Sequence, residues 1–129
     1  MSASPDRAAG RAPERAPVVG FGHLTADFLG VAPTQLRDVR LLSGLLIAAA
    51  GAAGFAAIAA PHVRELPSGG VAGWLQLDDC HLALHAFPDR ELLLLDVLSL
   101  ATHDGRKALD VFTRRLRARE VRSELRQRG

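Results

Sequence analysis

The chain has no tyrosine and, among its 129 residues, one tryptophan, one methionine and one cysteine. A lone cysteine cannot close an internal disulfide, so nothing calls for an oxidising compartment and a cytoplasmic setting fits. The thiol is then buried, reactive or incidental. An apolar stretch at the amino terminus is missing as well. "MSASPDRAAGRAPERAP" has no hydrophobic segment for a secretory signal, and Asp6 and Glu14 count against a transit peptide. Residues 1–18 read as a disordered tail ahead of a single domain over residues 19–129. There is no phosphate-binding glycine loop and no internal repeat. His23, His62 and His103 are scattered rather than spaced as ligands, so no metal is expected.

Charge is absent from Leu41 to Val63, a length that could span a bilayer. Alanine and glycine dominate this stretch, Arg37, Asp38 and Arg40 crowd its start, and Pro61 interrupts its end. A buried helix followed by a break accounts for it better, and no membrane partner is expected.

Charge is plentiful near the carboxyl terminus. The net charge is only +2, yet nine of the sixteen Lys and Arg residues fall between Arg106 and Arg128. That cluster could draw a polyanion by counterion release. Its only aromatic residue is Phe112, which lies on an apolar helical stripe, so the cluster reads as a solvated face and no nucleic acid is expected.

The order of elements follows from periodicity and punctuation. "VVGFGHLTADFLGV" reads as a first strand closed by Gly30 and Pro33. Thr34 reads as the cap of one long helix, whose apolar face is Leu36, Val39, Leu42, Leu46 and Ala49 or Ala50, ending near Gly54. "FAAIAA" reads as a short strand and "PHVRELPSGG" as a loop. "VAGWLQL" and "HLALHAF" form a hairpin across Asp78 and Asp79, and the leucines of "ELLLLDVLSL" suggest a central strand covered on both faces. Ala108, Leu109, Phe112 and Leu116 mark a second helix, and a last strand falls near Val121 to Leu125. The expectation is an α+β two-layer sandwich, mainly antiparallel, with two helices packed on one face of the sheet.

The chemistry concentrates in "GWLQLDDCHLALHAFPD". Strand alternation sends Cys80 and His85 to opposite faces, so they meet only if the chain bends at Asp78 and Asp79, bringing His81 or His85 beside the thiol. Cysteine beside histidine is the pattern of an activated nucleophile. The competing reading is an inert core thiol among alanines and leucines.

The same block carries a family resemblance. "GVAGWLQLDDCHLALHAFPD" resembles a Gly-Val-Ser-Gly … Glu-Ser-His-Leu-Ser-Ile-His-Thr-Trp-Pro-Glu motif, with His81, Leu82, His85 and Pro88 in register. "GFGHLTADF", "VAPTQLRDVRLLSGLLIAAAGAAG", "LLLLDVLSL" and "GRKALDVF" extend the likeness from about Gly20 to Leu116. It is to the small bacterial and archaeal S-adenosylmethionine decarboxylases, pyruvoyl enzymes of spermidine and other polyamine synthesis. In that family the chain cuts itself between an acid and a serine. The serine becomes a pyruvoyl group, which supplies the carbonyl electron sink that decarboxylation requires.

By position, the resemblance implies Cys80 as the pyruvoyl precursor, Asp79 as the acid before the cut and on the substrate side, and His85 as the histidine that assists processing. His81 and Asp27 would support them. It further implies a homodimer acting on a small molecule, S-adenosylmethionine or another amino acid. Cysteine in place of serine keeps the chemistry open, because a thiol can make the acyl shift and a thiocarboxylate leaves readily. Ala72 replaces a processing serine, and Leu100 replaces a cysteine thought to protonate the substrate carbon. Leu66 replaces an aromatic residue that stacks on adenine, a loss of roughly 1–3 kcal/mol. Those departures keep a second reading in play: an uncleaved, inactive relative acting as a binding or partner subunit.

Overall fold

A computed structural model describes residues 20–57 and 59–129. The stretch read as a tail, with Val18 and Val19 of the expected first strand, lies outside the described residues. The chain runs β1 (Phe21–Leu29), α1 (Pro33–Leu36), α2 (Val39–Ala52), β2 (His62–Glu65), β3 (Val71–Gln76), β4 (His81–Phe87), a single 3-10 turn (Pro88–Arg90), β5 (Leu92–Leu100), α3 (Gly105–Leu116) and β6 (Glu120–Arg128). The strands form one antiparallel sheet in the order β2-β3-β4-β5-β1-β6. β1 is inserted between β5 and β6, each of which pairs with it along its whole length. The α+β two-layer expectation holds, with α2 and α3 as the helices that cover the sheet.

One face of the sheet makes the core. Leu24, Ala26 and Phe28 of β1, Leu82, Leu84 and Ala86 of β4, and Leu93, Leu95 and Val97 of β5 are buried at alternate positions, as a one-sided pleated surface requires. They meet Leu42, Leu46 and Ala49 of α2 and Ala108, Phe112 and Leu116 of α3. Phe28 and Phe112 face each other with ring centroids 6.2 Å apart. β5 departs from expectation. It is central, but Leu94 is 38% exposed, so its leucines are covered on one face only within a single chain.

Two further differences have local causes. The long helix is broken in two, because Asp38 adopts an extended conformation and accepts a hydrogen bond from the Leu41 amide at 3.0 Å, capping a new helix. Ala32, not Thr34, precedes the first short turn, with Pro33 at its start. Among its described residues "FAAIAA" contributes only an isolated bridge between Ala57 and Leu77, and the strand lies later, at His62–Glu65. β2 is an edge strand with no fully buried residue, so it carries no alternation for the sequence to display.

The glycines of "GVAG" are fixed by close packing. A Cβ on Gly70 would stand 2.7 Å from the Ala86 carbonyl oxygen, and one on Gly73 2.7 Å from Val63 Cγ2 in the edge strand. Gly70→Ala and Gly73→Ala are each expected to cost about 1–3 kcal/mol by overpacking. Chemical denaturation would read this as a lower midpoint at unchanged slope.

Candidate active site

β3 and β4 pair with Gln76 opposite His81, leaving Leu77 to Cys80 as the connecting turn. The Leu77 amide donates to the Cys80 carbonyl at 2.9 Å and closes it. Leu77 and Cys80 are buried, while Asp78 and Asp79 stand exposed at the tip, as short acids do in turns. The peptide bond between Asp79 and Cys80 therefore joins an exposed residue at the tip of the turn to a buried one.

Cys80 lines a small cavity, about 120 Å³, at the end of the sheet. Its wall comprises Phe55, just beyond α2, then Asp78 and Asp79, and Leu100 and His103 between β5 and α3. Burial pushes the Cys80 thiol above its ordinary range. A hydrogen bond from the Leu100 backbone opposes this, and the charges of Asp79 and Asp78 add to it. Thiolate is the reactive form, so a raised thiol is scarcely ionised at neutral pH. In the uncut chain, alkylation of Cys80 by iodoacetamide at pH 7 is expected to be slower when the chain is folded than when it is unfolded, with the gap closing only at alkaline pH. Mass spectrometry against time would measure this.

Among the described residues the other face of the sheet carries no helix, and four of the five histidines lie there. His85 is exposed and stacks on Phe87 at 5.0 Å, with Arg90 Cζ 5.9 Å from the same ring. Ala72 pairs directly with His85, and both line a groove of about 420 Å³ with Leu66, Arg64, His62 and half-exposed Trp74. Farther along, His23 Nε2 is hydrogen-bonded to Asp96, and His81 Nε2 lies 3.6 Å from the same carboxylate. Arg128 Nη1 is 3.3 Å from His23 Nδ1, so that nitrogen accepts and Nε2 donates to the acid. Asp27 is exposed opposite Leu94, in the row that includes His85.

The turn does not bring the sequence-singled residues together as expected. Cys80 continues the buried set of β4, and His85 stays on the opposite face, because Asp78 and Asp79 reverse the chain without twisting β4 out of its alternation. His81 reaches Asp96 rather than the sulfur, and Asp27 lies near the far end of β1, well away from Cys80.

The family model for S-adenosylmethionine decarboxylase matches residues 22–129. The chain belongs to the S-adenosylmethionine decarboxylase family. An S-adenosylmethionine decarboxylase proenzyme from Symbiobacterium thermophilum is 32% identical over 108 residues, covering 83% of this chain and 81% of the relative. The crystal structure of the adenosylmethionine decarboxylase from Aquifex aeolicus superposes with a TM-score of 0.77 at 24% identity, over 86% of this chain and 92% of that one.

Against this family frame, the positions singled out in the sequence fall into two groups. Cys80, Asp79 and Leu100 share the cavity at the sheet end, whereas His85, Ala72 and Leu66 share the groove on the uncovered face. The sequence reading missed His103 at the first site and the joining of His23, His81 and Asp96 near the second. His103 lies in a loop and shows no periodicity, so only the tertiary fold reveals its neighbours. Alternation alone could have put His23, His81 and Asp96 on one face, given the strand register.

Proposed function

We propose that the chain is a self-processing, pyruvoyl-dependent decarboxylase of S-adenosylmethionine, working in the cytoplasm as a homodimer in polyamine and spermidine synthesis. The observation that supports this reading is the position of Cys80, a buried residue directly after exposed Asp79 in a tight turn; the motif resemblance aligns it with the serine that is cut, and a relative of this chain is a proenzyme.

The cut follows from thiol chemistry. Cys80 Sγ attacks the Asp79 carbonyl carbon; the carbon–sulfur bond forms as the Asp79–Cys80 carbon–nitrogen bond breaks, and the nitrogen takes a proton to become an amine. Loss of the Cys80 α-proton then expels the sulfur. The upstream fragment leaves with a thiocarboxylate on Asp79, and an enamine remains on residue 80. Its imine tautomer takes up water and releases ammonia, leaving the pyruvoyl group at the head of β4. This group supplies the electron sink for loss of carbon dioxide. The buried, turn-held Cys80 fits the precursor role, because an inward-pointing side chain in a tight turn lies close to the carbonyl before it.

The cavity at Cys80 is far smaller than the roughly 300–1,000 Å³ usual for a drug-sized ligand, whereas the groove beside His85 falls within that range. A second copy laid on the uncovered face would enclose the groove and cover Leu94 and Trp74, which supports the homodimer. Within one chain His85 stands across the sheet from Cys80, so its processing role depends on assembly. Leu94→Arg is expected to convert a dimer to a monomer in sedimentation, and persistence of the dimer would place the interface elsewhere.

The test of function is release of carbon dioxide from carboxyl-labelled S-adenosylmethionine, with loss of activity after borohydride treatment in the presence of substrate. The apolar side chains at positions 66, 72 and 100 favour a second reading, an uncleaved relative that binds a ligand or partner. That reading predicts no release at any protein concentration.

A further inference from the structure

We propose that His103 is the base that takes the Cys80 Sγ proton at the start of the self-cut. This rests on the self-processing reading and supplies what that reading lacks within one chain, a proton acceptor on the sulfur's side of the sheet. His23, His62, His81 and His85 lie on the uncovered face, and His103 is the one histidine lining the cavity that holds the sulfur. The need for a base is set by burial, which keeps the thiol protonated.

The loop that delivers the ring is built around the same contact. The His103 amide donates to the Leu100 carbonyl at 3.0 Å, closing a turn, and Leu100 lines the same cavity as Cys80. A single turn thus ties the ring to a residue of the cavity wall beside Cys80. Phe55 holds the ring from the other side, edge to face at 5.1 Å and 77°. Phe55 is itself fixed where its amide donates to Ala50 at the end of α2, at 2.9 Å. The neighbouring Asp104 is committed to capping α3 through the Arg106 amide. Asp78 and Asp79 line the same cavity, so positive charge formed on the ring has negative charge close by.

In the step assigned here, His103 accepts the proton from Sγ and the sulfur attacks the Asp79 carbonyl carbon. As the carbon–nitrogen bond breaks, the same proton passes to the nitrogen of Cys80. Nothing is consumed, and the imidazole returns to its neutral form.

The experiment follows cutting of the full chain by mass spectrometry after cell-free synthesis, for wild type, His103→Ala and His103→Gln, with and without added imidazole. His103→Ala is expected to slow cutting about 100-fold and to recover with imidazole, which can enter the space the ring vacates. His103→Gln should be equally slow and gain nothing, and the melting temperatures of both variants should stay near that of wild type. Wild-type cutting with undiminished His103→Ala cutting overturns the assignment alone. Slow cutting of His103→Ala that imidazole does not restore also overturns it, since it marks a structural role. An uncut wild-type chain sinks the self-processing reading, and the assignment with it.

Discussion

Cys80→Ala is expected to leave a single uncut chain that releases no carbon dioxide from S-adenosylmethionine. The effect is all-or-none because the sulfur is both the attacking atom and the leaving group, and no other residue can supply either. Fold stability should change little. The side chain is buried beside an existing cavity, so removing one sulfur costs about 1 kcal/mol, near the centre of the range for point substitutions. Cys80→Ser separates the chemistry from the thiol. A hydroxyl at the same place can make the same acyl shift, so cutting should persist, with an ordinary carboxylate on Asp79 in place of the thiocarboxylate. The mass of the upstream fragment distinguishes the two ends. If Cys80→Ala were cut like wild type, the cut would not involve this residue.

Phe112→Ala should produce the largest loss of stability of any single change considered. The ring is fully buried, sits at the centre of the α3 stripe and faces Phe28 across the layer boundary. Truncation removes its burial and leaves a cavity walled by sheet and helix, which cannot both collapse into it. The expected cost is about 3–5 kcal/mol, a large share of the roughly 5–15 kcal/mol that a domain of this kind has in total. A calorimetric midpoint lower by roughly 10–20 °C would follow. Phe112→Leu, which retains most of the volume, should lose much less. A shift of only a few degrees for Phe112→Ala would mean that the two layers repack around the gap.

Much of this architecture was legible in the sequence, for reasons that differ by element. The α3 stripe of Ala108, Leu109, Phe112 and Leu116 and the alternation in "HLALHAF" are direct imprints of one-sided burial, and both elements fall where the pattern puts them. β2 was hidden because an edge strand of four residues buries nothing fully, and its neighbour "FAAIAA" is richer in apolar residues but, among its described residues, forms only a bridge. The break before Val39 depended on one capping bond from Asp38, which competes with helix continuation and leaves no periodic mark. The leucines of β5 suggested cover on both faces, and the uncovered side is where the proposed second copy would lie.

The candidate site was legible in its residues but not in its geometry. Family likeness pointed to Cys80, Asp79 and His85, and alternation warned that the thiol and His85 face opposite ways. The fold keeps them apart, because a four-residue turn reverses the chain without changing the pleat of β4. The place of His103 in the wall of the Cys80 cavity escaped notice because it is made by two separate loops.

The central claim concerns one peptide bond, and the intact mass of the purified full chain tests it most directly. Self-processing predicts two fragments divided between Asp79 and Cys80, the downstream one beginning with a blocked residue that lacks a free amine. A single species near 13.7 kDa, unchanged after prolonged incubation of the assembled protein, would contradict it.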